Sequence, residues 1–213
     1  MDNYPWTRHF QRYEYVVKQQ WNRGKRVIDV GGGQGVGSAM LGTGAKSVLA
    51  MDPAFKNVFY KLYAQGQQHI ISAGFPTDYY AVQYPGYTGY EMSITDENLE
   101  TYTQKNTTTF DLATVIEVIE HIPDPERFMS LLAGIAPELY ITTPLVEVTG
   151  PTRNTFHVQE FSAYDFDTLV GRYYTICKKV YQLGNLQIVD TATPVGDSMN
   201  YGHVDQMIYA RRK

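Results

Sequence analysis

Cysteine is nearly absent: Cys177 is the only one in the chain. One thiol cannot form an internal disulfide or a cysteine-cluster metal site, so nothing calls for an oxidising compartment, and packing is the role expected of Cys177. Long apolar runs are missing as well. No stretch approaches the roughly 20 residues that span a bilayer, and MDNYPWTRHF lacks a signal-peptide core, so a cytoplasmic protein without a membrane span is expected. A basic surplus is lacking too, since 18 Lys and Arg face 22 Asp and Glu for a net charge of -4. Binding to a nucleic-acid backbone ordinarily shows a basic stripe, which disfavours such a partner here. The one basic cluster, Arg211-Arg212-Lys213, reads as a solvated tail. What the chain has in quantity is tyrosine, at 18 copies, and an apolar fraction of 43%, enough for one full core across a single domain, 1–213.

The organising stretch is RVIDVGGGQGVGSAML, from Arg26 to Leu41. Val27, Ile28 and Val30 suit a strand buried on both faces, as in a parallel sheet. Gly31, Gly33 and Gly35 then remove side chains where the backbone must bend and approach a ligand, and Val36 opens a helix. A dinucleotide fingerprint would place its third glycine at 36, where Val36 stands, so GxGxG preceded by an acid is the better description. Asp29 lies inside the strand, where a carboxylate is costly to bury unless it bonds to loop amides or a cationic ligand. A second acid, Asp52, closes the next apolar strand, SVLAMD, at a place suited to two ribose hydroxyls.

The rest of the chain fits around this unit. RHFQRYEYVVKQQW at 8–21 reads as an amphipathic helix, either covering the sheet or presenting Trp6, His9, Arg12 and Tyr13 to a substrate. GTGAKS at 42–47 is not a phosphate loop, because Ala45 precedes the lysine and a strand follows. A helix is expected over 54–65 and an insertion rich in Tyr, Gly and Pro over 66–89, either a lid or a packed surface loop. A third strand begins at Tyr90, with HIISAG at 69–74 as its competitor. FDLATVI at 110–116 is the fourth strand, 126–135 a helix, ELYITTP at 138–144 the fifth strand and 161–171 a further helix. YTICKKVYQLG and GHVDQMIYARR supply two extended segments able to pair antiparallel.

At the glycine turn and Asp52 the chain resembles the class I S-adenosylmethionine-dependent methyltransferases, whose first motif looks like VLDVGCGxG with an acid ending the second strand. The resemblance implies an α/β, Rossmann-like sheet of seven mostly parallel strands, helices on both faces and an antiparallel C-terminal strand. It implies S-adenosylmethionine held by Asp29, Gly31, Gly33, Gly35 and Asp52, with Asp96 after the third strand as the adenine contact. IEVIEHIPDPERF, ITTP and FHVQEFSAYDF are similar to a subgroup that includes ubiquinone-pathway O-methyltransferases and glycan-cluster methyltransferases. The departures are Gly32, where that subgroup often has cysteine or alanine, and the tyrosine-rich insert.

Glu117, Glu120 and His121 leave the carboxyl end of the fourth strand, the edge where open parallel sheets bind ligands. A helical turn over 117–121 would put all three on one side, and His157 would complete a two-carboxylate, two-imidazole set suited to Mg, Mn or Zn. Similar ExxEH clusters with a distal histidine bind metal in ubiquinone-pathway enzymes and in small-RNA 3'-end ribose methyltransferases. A purely structural alternative has Glu120 and His121 bonding to each other, Glu117 ordering amides and His157 capping a turn. Without metal, His121 or His157 is the expected general base, with Glu120 beside it. Three functions follow as expectations. They are O-methylation of a small-molecule or saccharide hydroxyl, RNA ribose 2'-O-methylation, and a catalytically silent S-adenosylmethionine-binding module.

Overall fold

The computed structural model describes residues 5–33, 35–52, 91–95, 97–149, 155–191 and 203–213. The helix expected over 54–65, the segment 66–89 and Asp96 lie outside these residues. Helix α1 runs Pro5–Lys18, strand β1 Arg26–Val30, α2 Val36–Gly42, β2 Ser47–Met51, β3 Glu91–Thr95 and α3 Leu99–Lys105. There follow β4 Leu112–Ile116, a 3₁₀ turn Ile119–His121, α4 Pro125–Ile135, β5 Glu138–Pro144 and α5 Val146–Thr149. The chain continues with α6 Ala163–Tyr173, β6 Tyr174–Leu183, β7 Ile188–Val189 and β8 Val204–Arg212.

Among the described residues one sheet has the order β3-β2-β1-β4-β5-β8-β6-β7. β3, β2, β1, β4 and β5 are parallel, whereas β8 joins β5 antiparallel and β6 joins β8 antiparallel. The expected seven strands are present, and the eighth, β7, is a two-residue hairpin addition to β6. Alternate side chains of the parallel strands enter two cores. Ile28, Met51, Val115 and Ile141 pack with α4 and α6 through Met129, Leu132, Phe166 and Val170. Val27, Val48, Leu112 and Tyr140 pack on the opposite face against Tyr13 and Val16 of α1 and Met40 and Leu41 of α2. Helices on both faces explain why β1, β2, β4 and β5 read as nearly continuous apolar runs.

Local chemistry sets the boundaries. Asp124 Oδ1 accepts a hydrogen bond from Arg127 N, and Pro125 takes the first turn of α4, where no amide is needed. Ser162 caps α6 by accepting from Asp165 N, so that helix begins at Ala163 rather than at 161. Two expectations are corrected. Cys177 is exposed and does not pack, because the β6–β8 register slips between Ile176 and Lys178 and leaves it at a bulge. The terminal basic cluster is not a tail, since Arg211 and Arg212 are the last paired residues of β8 and only their side chains reach solvent. Among the described residues no helix is long and apolar enough to cross a membrane.

Candidate active site

The turn after β1 needs glycine for its backbone. Gly31, Gly33 and Gly35 have φ of 76°, 54° and 75°, the left-handed region that side chains disfavour. Gly31 N and Gly32 N donate to Met51 O at 2.7 and 3.2 Å, tying the turn to the end of β2. Close approach adds a second requirement at Gly31, where a Cβ would sit 2.2 Å from Val118 Cγ2. Asp52 Oδ2 accepts from Gly33 N at 3.0 Å, so the acid ending β2 is held beside the turn.

Among the described residues the partners of Asp29 are hydroxyls. It is fully buried, and its carboxylate accepts from Ser38 at 2.5 Å, Thr114 at 2.6 Å and Tyr13 at 3.5 Å. Burial pushes its pKa up to about 6 against the opposing pull of these hydroxyls. Asp29 is thus an internal strut joining β1, β4, α1 and α2. Gly32 follows from the same packing, since a Cβ there would lie 2.7 Å from Ser38 Oγ and 3.0 Å from Asp29 Oδ2.

Beside Gly31 opens an apolar cavity of about 350 Å³, lined among others by Val30, Met51, Leu99, Val118, Ile122 and Phe128. It joins the glycine turn to the β2 and β4 ends, the crevice where open α/β sheets take nucleotides. Its apolar walls beside the glycine turn, to which Asp52 is bonded, fit an adenosine-bearing cofactor.

The second constellation forms only in part. Glu117 is not in a helical turn: its φ is 56°, and Thr142 Oγ1 donates to its Oε1 at 2.9 Å while Arg12 Nη1 lies 3.7 Å away. The 3₁₀ turn carries Glu120 and His121 alone. Glu120 is buried and accepts from Thr143 Oγ1 at 3.1 Å. Burial raises Glu120 to about 7 and Glu117 to about 8, the latter opposed by Arg12. His121 Nδ1 lies 2.9 Å from Phe156 O. A carbonyl only accepts, so Nδ1 carries the proton and Nε2 of the neutral ring keeps its lone pair. His157 stands edge-on to His121 with ring centroids 4.8 Å apart. Burial, then the neighbouring His121, lowers the His157 pKa. Ligand atoms of Glu120, His121 and His157 lie within 4.8 Å of one another, and Glu117 falls outside that group.

The sequence did not reveal the network that buttresses this edge. Arg12, buried on α1, pairs with Asp205 of β8, which also meets Arg8 at 2.7 Å and His203 at 2.7 Å. Burial alone would raise the Asp205 carboxyl, but Arg12, His203 and Arg8 hold it well below the ordinary range. His9 bonds Arg12 at 3.3 Å, and burial lowers its pKa to about 4. Tyr13 fits where Gly37 lacks a side chain, since a Cβ there would lie 2.2 Å from the ring. Arg12 and Tyr13 therefore lock α1 to the sheet, with His9 packed against both on the same helix; the Trp6 side chain lies outside the described residues. Thr142 and Thr143 were legible only as strand residues of ITTP.

A glycine turn on this topology, an acid ending β2 and an apolar nucleotide crevice define a class I S-adenosylmethionine-dependent methyltransferase domain. The chain belongs to the methyltransferase domain family, whose model matches residues 6–162. Among curated relatives, ubiquinone biosynthesis O-methyltransferase of Rhizobium etli (strain CIAT 652) is 33% identical over 110 residues, covering 52% of this chain and 36% of that protein. The chain thus spans little more than a third of that relative's length. Among solved structures, the methyltransferase domain of bacterial CtHen1-CN has a TM-score of 0.62 at 22% identity, covering 96% of this chain and 99% of that one. The 1,6-didemethyltoxoflavin-N1-methyltransferase of Burkholderia thailandensis has a TM-score of 0.63 at 16% identity, covering 98% and 80%. Both structural likenesses concern the fold.

Proposed function

We propose that the chain methylates a hydroxyl of a small-molecule or saccharide acceptor, using the Glu120–His121–His157 edge to align and deprotonate it. The observation that carries this reading is the His121 ring, whose Nδ1 is engaged by Phe156 O, whose Nε2 lies 4.0 Å from Glu120 Oε1, and whose centroid is 4.8 Å from that of His157. When bound, S-adenosylmethionine supplies a methyl already activated on a sulfonium, so the protein's task is alignment and removal of the acceptor proton. Gly31, Gly33, Gly35 and Asp52 hold the cofactor, while His121 Nε2 or His157 accepts the proton. Glu120 orients the pair, and burial raises its pKa above the ordinary carboxylate range.

The same donor set, one carboxylate and two imidazoles, fits a divalent cation of the Mg, Mn or Zn type. Glu120, His121 and His157 would hold it, and it would supply charge to stabilise an alkoxide. Glu117 is engaged by Thr142 and Arg12 instead. Glu160, 3.8 Å from His157, makes this border acidic, which supports a small acceptor over an RNA backbone. The name of the Rhizobium etli relative supports oxygen as the acceptor atom.

The test is incorporation of labelled methyl into panels of hydroxylated metabolites, saccharides and RNA. Transfer to a hydroxyl that His121→Ala abolishes, with S-adenosylhomocysteine binding retained, is the expected result. Transfer to RNA alone, or to none of the three, would overturn the reading. Calorimetry should show that Asp52→Ala weakens S-adenosylhomocysteine, and a chelator added to active protein separates the metal form from the histidine base.

A further inference from the structure

Two separate chain segments build the candidate edge, the 3₁₀ turn with Glu120 and His121 and the loop with His157. Neither is fixed by regular secondary structure. Hydrogen bonds from Val158 and Gln159 to the turn join them. Val158 N and Gln159 N donate to Glu120 O at 3.0 and 3.3 Å. Gln159 Nε2 then donates to Ile119 O at 3.2 Å and to Ile122 O at 2.6 Å, one carbonyl at the start of the turn and one just past it. Two facing carbonyls leave the amide a single orientation, with its NH₂ toward the turn.

We propose that Gln159 is a positioning residue that clamps the His157 loop onto the 119–122 turn and thereby sets the His121–His157 geometry. The proposal rests on the reading of this cluster as the acceptor-deprotonating edge. Gln159 acts through the carbonyls of the turn that carries Glu120 and His121. A 3₁₀ turn of three residues has poor internal hydrogen bonding, so an external clamp is what holds its side chains in one arrangement. His121 Nδ1 to Phe156 O then falls into place from the opposite side of His157.

The experiment compares the native chain with Gln159→Met, which keeps length and bulk but has no donor, and Gln159→Lys, which restores one. Nuclear Overhauser contacts between the His121 and His157 rings should be present in the native protein, lost in Gln159→Met and partly regained in Gln159→Lys. Methyl transfer should fall about tenfold in kcat for Gln159→Met, the scale for removing a group that orients a ligand-bearing side chain. S-adenosylhomocysteine affinity should not change. Ring contacts and kcat both unaltered in Gln159→Met would overturn the clamp. Should that variant fail to fold, exchange of the native Gln159 side-chain amide protons decides: slow exchange supports the clamp, and the rate of a free glutamine refutes it. These ring and exchange readouts hold even if no acceptor is methylated, which separates failure of the clamp from failure of the functional reading.

Discussion

Replacing Gly31 by alanine tests the turn's two demands separately. At φ of 76° the new Cβ costs about 1–2 kcal/mol from backbone sterics. It also lands 2.2 Å from Val118 Cγ2, more than an ångström inside the 3.4 Å of ordinary contact, so Val118 must move. Overpacking of that kind costs a further ~1–3 kcal/mol, giving a total of roughly 2–5 kcal/mol by the same estimates. Val118 lines the cavity next to Gly31, so its displacement also reshapes that cavity. Gly33→Ala is the control, with φ of 54° but nothing within 4 Å of its Cβ, so only the backbone cost of about 1–2 kcal/mol applies. Urea unfolding should rank Gly31→Ala well below Gly33→Ala, and calorimetry should show the larger loss of S-adenosylhomocysteine affinity in Gly31→Ala. Adding Val118→Ala to Gly31→Ala should recover part of the loss, as a double-mutant coupling of about 1–3 kcal/mol. Equal stability of the two alanine variants, or no coupling with Val118, would refute the reasoning.

Two further outcomes concern the network under α1. His9 has a folded pKa near 4 against about 6.5 when unfolded, so between these values the unfolded chain binds more protons and stability rises with pH, by at most ~3 kcal/mol. His9→Phe should flatten the stability profile between pH 4 and 6.5, and a profile identical to the native one would dismiss the burial cause. Arg12→Met removes the strongest neighbour of buried Asp205 and should destabilise by about 3–5 kcal/mol, whereas Arg12→Met with Asp205→Asn should lose much less. A denaturation series in which the double variant is no better than the single would contradict that pairing.

Strands buried on both faces announce themselves, which is why β1 and β5 were legible to within a residue and the glycine turn could be placed from spacing alone. The third strand, expected from Tyr90, runs Glu91–Thr95, and Asn98 caps the helix that follows it. Backbone events that depend on distant partners were not legible. Glu117 takes a left-handed conformation that no helical spacing rule anticipates, and Thr142, 25 residues on, receives its side chain. The Cys177 bulge arises from the register of β6 against β8, a relation between strands rather than within one. Arg12 could also be read as a substrate contact, because its partner lies 193 positions away.

That separation bears on how the protein is made. As the chain leaves the ribosome, α1 and the five parallel strands that follow are available long before β8, so Arg12 has Glu117 but not Asp205 beside it while most of the sheet is synthesised. A nascent chain without β8 leaves Arg12 short of its Asp205 partner under the first helix. Chaperone engagement during synthesis should therefore persist until β8 emerges.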